Sequence, residues 1–154
     1  MSLDTKKYQN YVNILKEELV PALGCTEPIA IAYASAKARE VLGVLPDKII
    51  AECSGNIVKN VKGVIVPTTK NLRGIEAAAI IGAVGGDASK ELEVLSGIKQ
   101  EHLDQAKYLI GKGICEERLL DTPAKLHIII KMFKGCDNSL VEIIHTHTGI
   151  VRVE

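Results

Sequence analysis

KLHIIIKMFKGCDNSLVEIIHTHTGIVRV, residues 125–153, is the stretch whose reading decides the fold. Leu126, Ile128, Ile130 and Met132 recur at every second position, the period that puts side chains on one face of a strand. Gly135–Asn138 has the composition of a tight turn, and the alternation resumes over Leu140–His147. A third short strand is expected at Ile150–Val153. Lys125–Lys134 and Ser139–His147 are therefore predicted to form an antiparallel hairpin, its register held by the need to keep one apolar face inward.

Upstream of this stretch the period changes to that of helices. Tyr8, Tyr11, Val12, Leu15 and Leu19 recur at three- and four-residue steps, which predicts an amphipathic helix over Asp4–Leu19, ended by Pro21. A second helix is predicted from Thr26 to about Leu42, with Thr26 as cap, Pro28 in the first turn and Gly43 as the stop. Its alanines at 30, 32, 34, 36 and 38 would let another backbone come close. Lys48–Ser54 alternates as a strand and ends in a Ser54-Gly55-Asn56 turn. Val61–Val66 reads as a short strand, and helices are expected over Asn71–Val84, Ala88–Leu95 and Gln100–Lys112. Helices grouped ahead of a terminal β-meander predict a single α+β domain, an antiparallel sheet covered by helices.

Composition narrows the function classes. The 154 residues are 47% hydrophobic and 25% charged, as in ordinary globular domains, and a chain of this length can bury roughly 70% of its unfolded surface. Nineteen basic residues balance nineteen acidic ones, so the overall cationic excess that a duplex binder uses is missing. One Phe, four Tyr and no Trp give little material for a base-stacking platform. No apolar run approaches the length of a membrane helix and no secretory h-region follows Met1, so a cytoplasmic protein is expected, with no nucleic-acid or membrane partner. Cysteines 25, 53, 115 and 136 show no CxxC or zinc spacing.

Three constellations could carry chemistry. In Gly24-Cys25-Thr26-Glu27-Pro28 a cysteine stands just outside a helix N-terminus, where a thiolate is favoured; a small buried residue beside a helix start fits the same letters. Ser54, Asn56, Lys59 and Asn60 form a polar cluster directly after a strand, able to hold an amino-acid carboxylate, although turns use the same residues for conformational reasons. His145 and His147, two apart on a predicted strand, would share a face and could approach one metal ion, yet two ligands are too few for a zinc site. Gly82-Ala83-Val84-Gly85-Gly86 closes a helix instead of opening one and lacks the GK[ST] ending of a phosphate loop, so capping is its expected role.

Four blocks together resemble a known family. They are Leu19-Val20-Pro21-Ala22-Leu23-Gly24-Cys25-Thr26-Glu27-Pro28, then Ser54-x-Asn56-x-x-Lys59-Asn60, then Gly82–Gly86 with Leu92-Glu93-Val94-Leu95, and finally His147-Thr148 before Ile150-Val151. In this order they are similar to the opening of the serine dehydratase α-chain-like, L-cysteine desulfidase group. The resemblance implies an N-terminal domain, residues 1–154, of a larger lyase whose helical C-terminal part is absent here. Members use a [4Fe–4S] cluster, without pyridoxal phosphate, to convert L-cysteine to pyruvate, ammonia and sulfide, or to eliminate water from L-serine. It further implies Cys25 as a catalytic cluster ligand and Ser54, Asn56, Lys59, Asn60, His147 and Thr148 as substrate contacts. The partners implied are the small amino acid and the helical domain of the same polypeptide, with a homo-oligomer possible. The fragment alone is then expected to hold no cluster and to be inactive. Val66-Pro67-Thr68-Thr69-Lys70 departs from the family's glycine-rich segment at that place. The competing expectation is a non-catalytic small-molecule-binding or regulatory α+β module.

Overall fold

The computed structural model describes residues 26–69, 71–147 and 149–154. The chain runs through helix α1 (Thr26–Leu42), strand β1 (Lys48–Ser54), helix α2 (Gly55–Val61), helix α3 (Gly74–Gly85), a 3₁₀ helix (Ala88–Glu93) and helix α4 (Gln100–Lys112). Strands β2 (Cys115–Leu120), β3 (His127–Lys134), β4 (Asp137–Ile144) and β5 (Ile150–Val153) follow. The expected Asp4–Leu19 helix and the Gly24-Cys25 block lie outside the described residues.

The hairpin forms as the alternation predicts. β3 and β4 are antiparallel from His127 opposite Ile144 to Lys134 opposite Asp137. Gly135 has φ +60 at the first central position of the two-residue turn, a backbone state that glycine enters without cost. The five strands form one sheet in the order β2-β1-β3-β4-β5. The fold is α+β, but the sheet is mixed: β1 pairs antiparallel with β3 and parallel with β2. Strand β2 went unread because Cys115-Glu-Glu-Arg-Leu-Leu does not alternate, as expected of an edge strand largely open to solvent.

One sheet face is apolar. Ile49, Ala51 and Cys53 of β1, Ile128, Ile130 and Met132 of β3, and Val141 and Ile143 of β4 are all fully buried. Helix α1 packs over β3 and β4, while α3 reaches β1 and β2. Both helices are buried round their circumference, α1 through Pro28–Ala36 and α3 through Ala77–Val84. That is why their sequences lack a polar stripe. They meet closely: Ser35 Oγ donates to the Ala79 carbonyl at 2.5 Å, and Gly82 lies against the Ala32 backbone. Ser139 Oγ ties the sheet to the Ala38 carbonyl at 2.8 Å.

The opposite sheet face carries charge. Lys131 pairs with Glu52 at 3.0 Å, Lys48 with Glu116 at 3.7 Å, and Arg152 with Glu142 at 3.3 Å.

Three further expectations change. Val61–Val66 is not a strand: Val61 ends α2, and only Ile65 makes an isolated bridge, to Arg73. This closes a loop in which Val66 N–H donates to the Leu72 carbonyl at 2.7 Å and Thr69 Oγ1 to the Val66 carbonyl at 2.5 Å. Thr68 holds φ +64 there, a left-handed backbone state uncommon outside glycine. In place of an α-helix over Ala88–Leu95 there is a 3₁₀ helix, Ala88–Glu93, kinked at Glu91 (φ 50, ψ −115). β4 stops at Ile144, three residues short of the predicted end.

Candidate functional site

Chain direction gathers the described candidate residues at one end of the sheet. β1 and β2, which run parallel, end there at Ser54 and Leu120; β3 begins there at His127, β4 ends there at Ile144 and β5 begins there at Ile150. Helix α1 returns to the same end. Its last residue connects through residues 43–47 to the start of β1, and it also touches α2 beyond the end of β1. A 17-residue helix, about 25 Å long at 1.5 Å per residue, therefore brings Thr26 back to the level of Ser54.

Ser54 is 1% exposed and caps α2. Its Oγ accepts from Ile57 N–H at 3.5 Å and donates to the Lys125 carbonyl at 2.6 Å. The hydroxyl proton is thus committed to the protein. The expected Ser54–Asn60 loop is a helix, because Ser54 is a good cap and Ile57 and Val61, four apart, both enter the core. The same helical spacing puts Asn56, Lys59 and Asn60, all exposed, on one outward face.

The histidines do not share a strand face. His145 follows the end of β4 with φ +74, and its N–H donates to the Leu126 carbonyl at 2.9 Å. That backbone turn breaks the two-residue alternation: His145 is exposed, whereas His147 is partly buried in the β4–β5 connection. His147 Nε2 is buried and has no hydrogen-bond partner among the described residues. Buried polar atoms are paired in the great majority of cases, so an orphan of this kind calls for a cause. Cys25 and Thr148 lie outside the described residues. Among the described residues, no group of three or more His, Cys, Asp and Glu side chains could hold a metal ion.

Sequence reading missed a neighbouring network. Thr122 Oγ1 meets His127 Nδ1 at 2.9 Å, His127 Nε2 meets Glu142 Oε2 at 2.5 Å, and Glu142 Oε1 meets Arg152 Nε at 3.3 Å. The imidazole and the Glu142 carboxylate are 12% and 17% exposed. A signal existed, since the turn at Gly135-Cys136 fixes a register that sets Glu142 diagonal to His127.

The other described thiols separate cleanly. Cys53 is buried on the inner sheet face, as its alternation with Ile49 and Ala51 suggests, and Cys136 is exposed in the hairpin turn. Cys115 is buried at the start of β2. Burial first, then the carboxylates of Glu76, Glu117 and Glu116, push its thiol up to about 12. Cys53 is pushed up still further, chiefly by burial.

The chain is 61% identical over 147 residues to a UPF0597 protein of Lachnoclostridium phytofermentans, covering 96% of this chain and 35% of that one. A UPF0597 protein of Treponema denticola is 53% identical over 151 residues, covering 98% and 35%. One of Desulfitobacterium hafniense is 47% identical over 154 residues, covering 100% and 36%. The chain thus spans about a third of the length of the curated relatives it matches. No protein-family profile matches it, and no solved structure matches it either.

These relatives correct the family resemblance. Four short blocks pointed to the serine dehydratase and L-cysteine desulfidase group, but similarity across nearly the whole chain leads to proteins named UPF0597, a distinct family. Their names carry neither a lyase activity nor an iron–sulfur cluster. The reading of the chain as a fragment of a [4Fe–4S] lyase, with the lyase, iron–sulfur and metal-binding descriptions attached to it, is withdrawn. The blocks misled because ten letters around a helix start and a few loop polars are a small sample beside an alignment of 147 residues. Among the described residues no helix is long and apolar enough to cross a membrane.

Proposed function

We propose that this chain is a small-molecule-binding α+β module, part of a longer cytoplasmic polypeptide, that takes a small amino acid or a related carboxylate at the strand-end edge. The observation that carries the reading is the Nε2 of His147, which is buried and without a partner among the described residues. Leaving such an atom unsatisfied costs on the order of 1–3 kcal/mol, and a ligand oxygen that accepts its proton, or a ligand N–H or O–H that donates to it, removes that cost. The positive φ of His145 supports the same edge, since strained non-glycine backbone gathers at ligand-holding loops.

Carboxylate is the favoured chemistry because Lys59 brings a cation and Asn56 and Asn60 bring amide donors on one face of α2. β1 and β4 are separated by β3 alone, about 10 Å at the usual strand spacing, a span that an amino-acid-sized ligand and two side chains can bridge. Thr148 completes the proposed set. The three described thiols are free, in keeping with a reducing compartment.

The test is binding of L-serine, L-cysteine and acetate to the full chain, followed by calorimetry and by the His147 ring resonances. Saturable binding that moves those resonances, and weakens at least about tenfold in His147→Ala and Lys59→Ala, is the expected result, each lost charge-assisted contact being worth about 1.5–3 kcal/mol. Binding that leaves the His147 ring unmoved and survives both substitutions would place the ligand elsewhere.

A further inference from the structure

We propose that Thr122, His127 and Glu142 are positioning residues of the strand-end site, acting through the β2–β3 loop without touching the ligand. The inference rests on the proposed ligand site, and it begins from what this loop holds. Its Lys125 carbonyl accepts the Ser54 hydroxyl at 2.6 Å, which fixes the cap of α2 and hence the Asn56, Lys59 and Asn60 face. Its next carbonyl, Leu126, accepts the N–H of His145 at 2.9 Å, which fixes the first residue of the β4–β5 connection that carries His147. Two consecutive carbonyls of one loop therefore set both walls of the site.

The loop is not held by a strand ladder, since β2 ends at Leu120 and β3 begins at His127. Thr122 anchors it. The Thr122 Oγ1 accepts Ala124 N–H at 3.2 Å, which folds the loop on itself, and meets His127 Nδ1 at 2.9 Å. The imidazole is held from its other side by Glu142, and Glu142 is held in turn by Arg152 on β5. At 12% and 17% exposure this contact is largely withdrawn from solvent, unlike Lys48–Glu116 on the same sheet face, whose side chains are 53% and 43% exposed. A chain of contacts thus runs from β5 across β4 and β3 to the loop, and from the loop to both ligand walls.

Hydrogen exchange and ligand binding together test this in the full chain. Thr122→Val keeps the shape and removes the oxygen; Thr122→Ser restores it. In Thr122→Val and Glu142→Ala the His145 and Ile57 amides should exchange about tenfold faster while the core amide of Ile130 is unchanged, as expected for a local opening released by one lost hydrogen bond. Affinity for L-serine should fall in parallel, and Thr122→Ser and Glu142→Gln should recover most of both effects. Glu116→Gln, an equally charged change on the same sheet face but outside the chain of contacts, should alter neither. Unchanged His145 exchange in Thr122→Val would overturn the proposal, as would an equal rise at Ile130, which would mean a general loss of stability. If His145 exchange responds as expected but the unaltered protein binds none of the probes, the coupling stands and the ligand reading falls.

Discussion

Gly82→Ala should destabilise the protein, although it exchanges the poorer helix former for the best one. In an open helix that exchange is worth up to about 1 kcal/mol in favour of alanine. At Gly82 the added methyl would press on the Ala32 carbonyl oxygen and would lie 2.7 Å from the Ala32 Cα and 2.9 Å from its carbonyl carbon. Every one of these atoms is backbone, so no rotamer change relieves the contact, and α1 and α3 must move apart. They are joined at this level by the Ser35 to Ala79 hydrogen bond and are buried on all sides, so the displacement spreads into the core. Overpacking typically costs 1–3 kcal/mol, and a backbone obstacle belongs at or above the upper end. The expected net loss is about 2 kcal/mol, or roughly 4–8 °C in Tm for a domain of this size. Gly111→Ala is the internal control: it sits in α4 with nothing within 4 Å of the new methyl, and should gain roughly 0.5–1 kcal/mol. Urea unfolding of both variants at constant m decides the matter. If Gly82→Ala stabilises as Gly111→Ala does, the close approach of the two helices is wrong.

Other outcomes follow from single contacts. Ser139→Ala should cost about 1–2 kcal/mol in urea unfolding, because it removes the hydroxyl that bonds the Ala38 carbonyl at 2.8 Å in a site 2% exposed. An alkylating agent followed by mass spectrometry should label Cys136 quickly, and Cys53 and Cys115 only at the rate of unfolding; prompt native-state labelling of Cys115 would refute its burial at the start of β2. Stability should fall as pH rises above about 9, where the unfolded chain loses thiol protons that folded Cys115 keeps until about 12. The unfolded state then binds fewer protons, which gives a slope of at most about 1.4 kcal/mol per pH unit for each such thiol, and Cys115→Ala should flatten it.

The elements most legible in the sequence are those whose burial is one-sided or complete. The β3–β4 hairpin follows from Ile128, Ile130 and Met132 facing one way and from a glycine at the turn. The C-terminal ends of α1 and α4 follow from their punctuation, Gly43 at φ +84 and Gly113 at φ +69. The elements that escaped are those decided by tertiary context. β2 has little apolar pattern because its outer edge is open, and its pairing with β1 is made across more than fifty residues of intervening chain. The 3₁₀ segment looks α-helical in its letters until Glu91 turns out of the helical region, and Val61–Val66 looks like a strand until Val61 is claimed by the two-turn helix that Ser54 caps.

For the site, the sequence named residue types better than roles. Ser54 was read as a ligand contact because Ser, Asn and Lys after a strand suggest one, yet its hydroxyl is spent on the Lys125 carbonyl. The distinction depends on a partner seventy-one residues away, which no local pattern reports. His145 and His147 were read as a pair from spacing alone, and the pair dissolves because His145 itself holds φ +74, leaving its ring exposed while the Nε2 of His147 is buried. The residues that organise the edge, Thr122, His127 and Glu142, belong to no motif. They become visible only once the hairpin register and the β2–β3 loop are known together. The chemistry of the edge therefore resides less in the polar letters that stand out in the chain than in which of them still have a hydrogen-bonding atom to offer after folding. By that criterion the proposed site rests on His147, with Asn56, Lys59 and Asn60 on the outward face of α2.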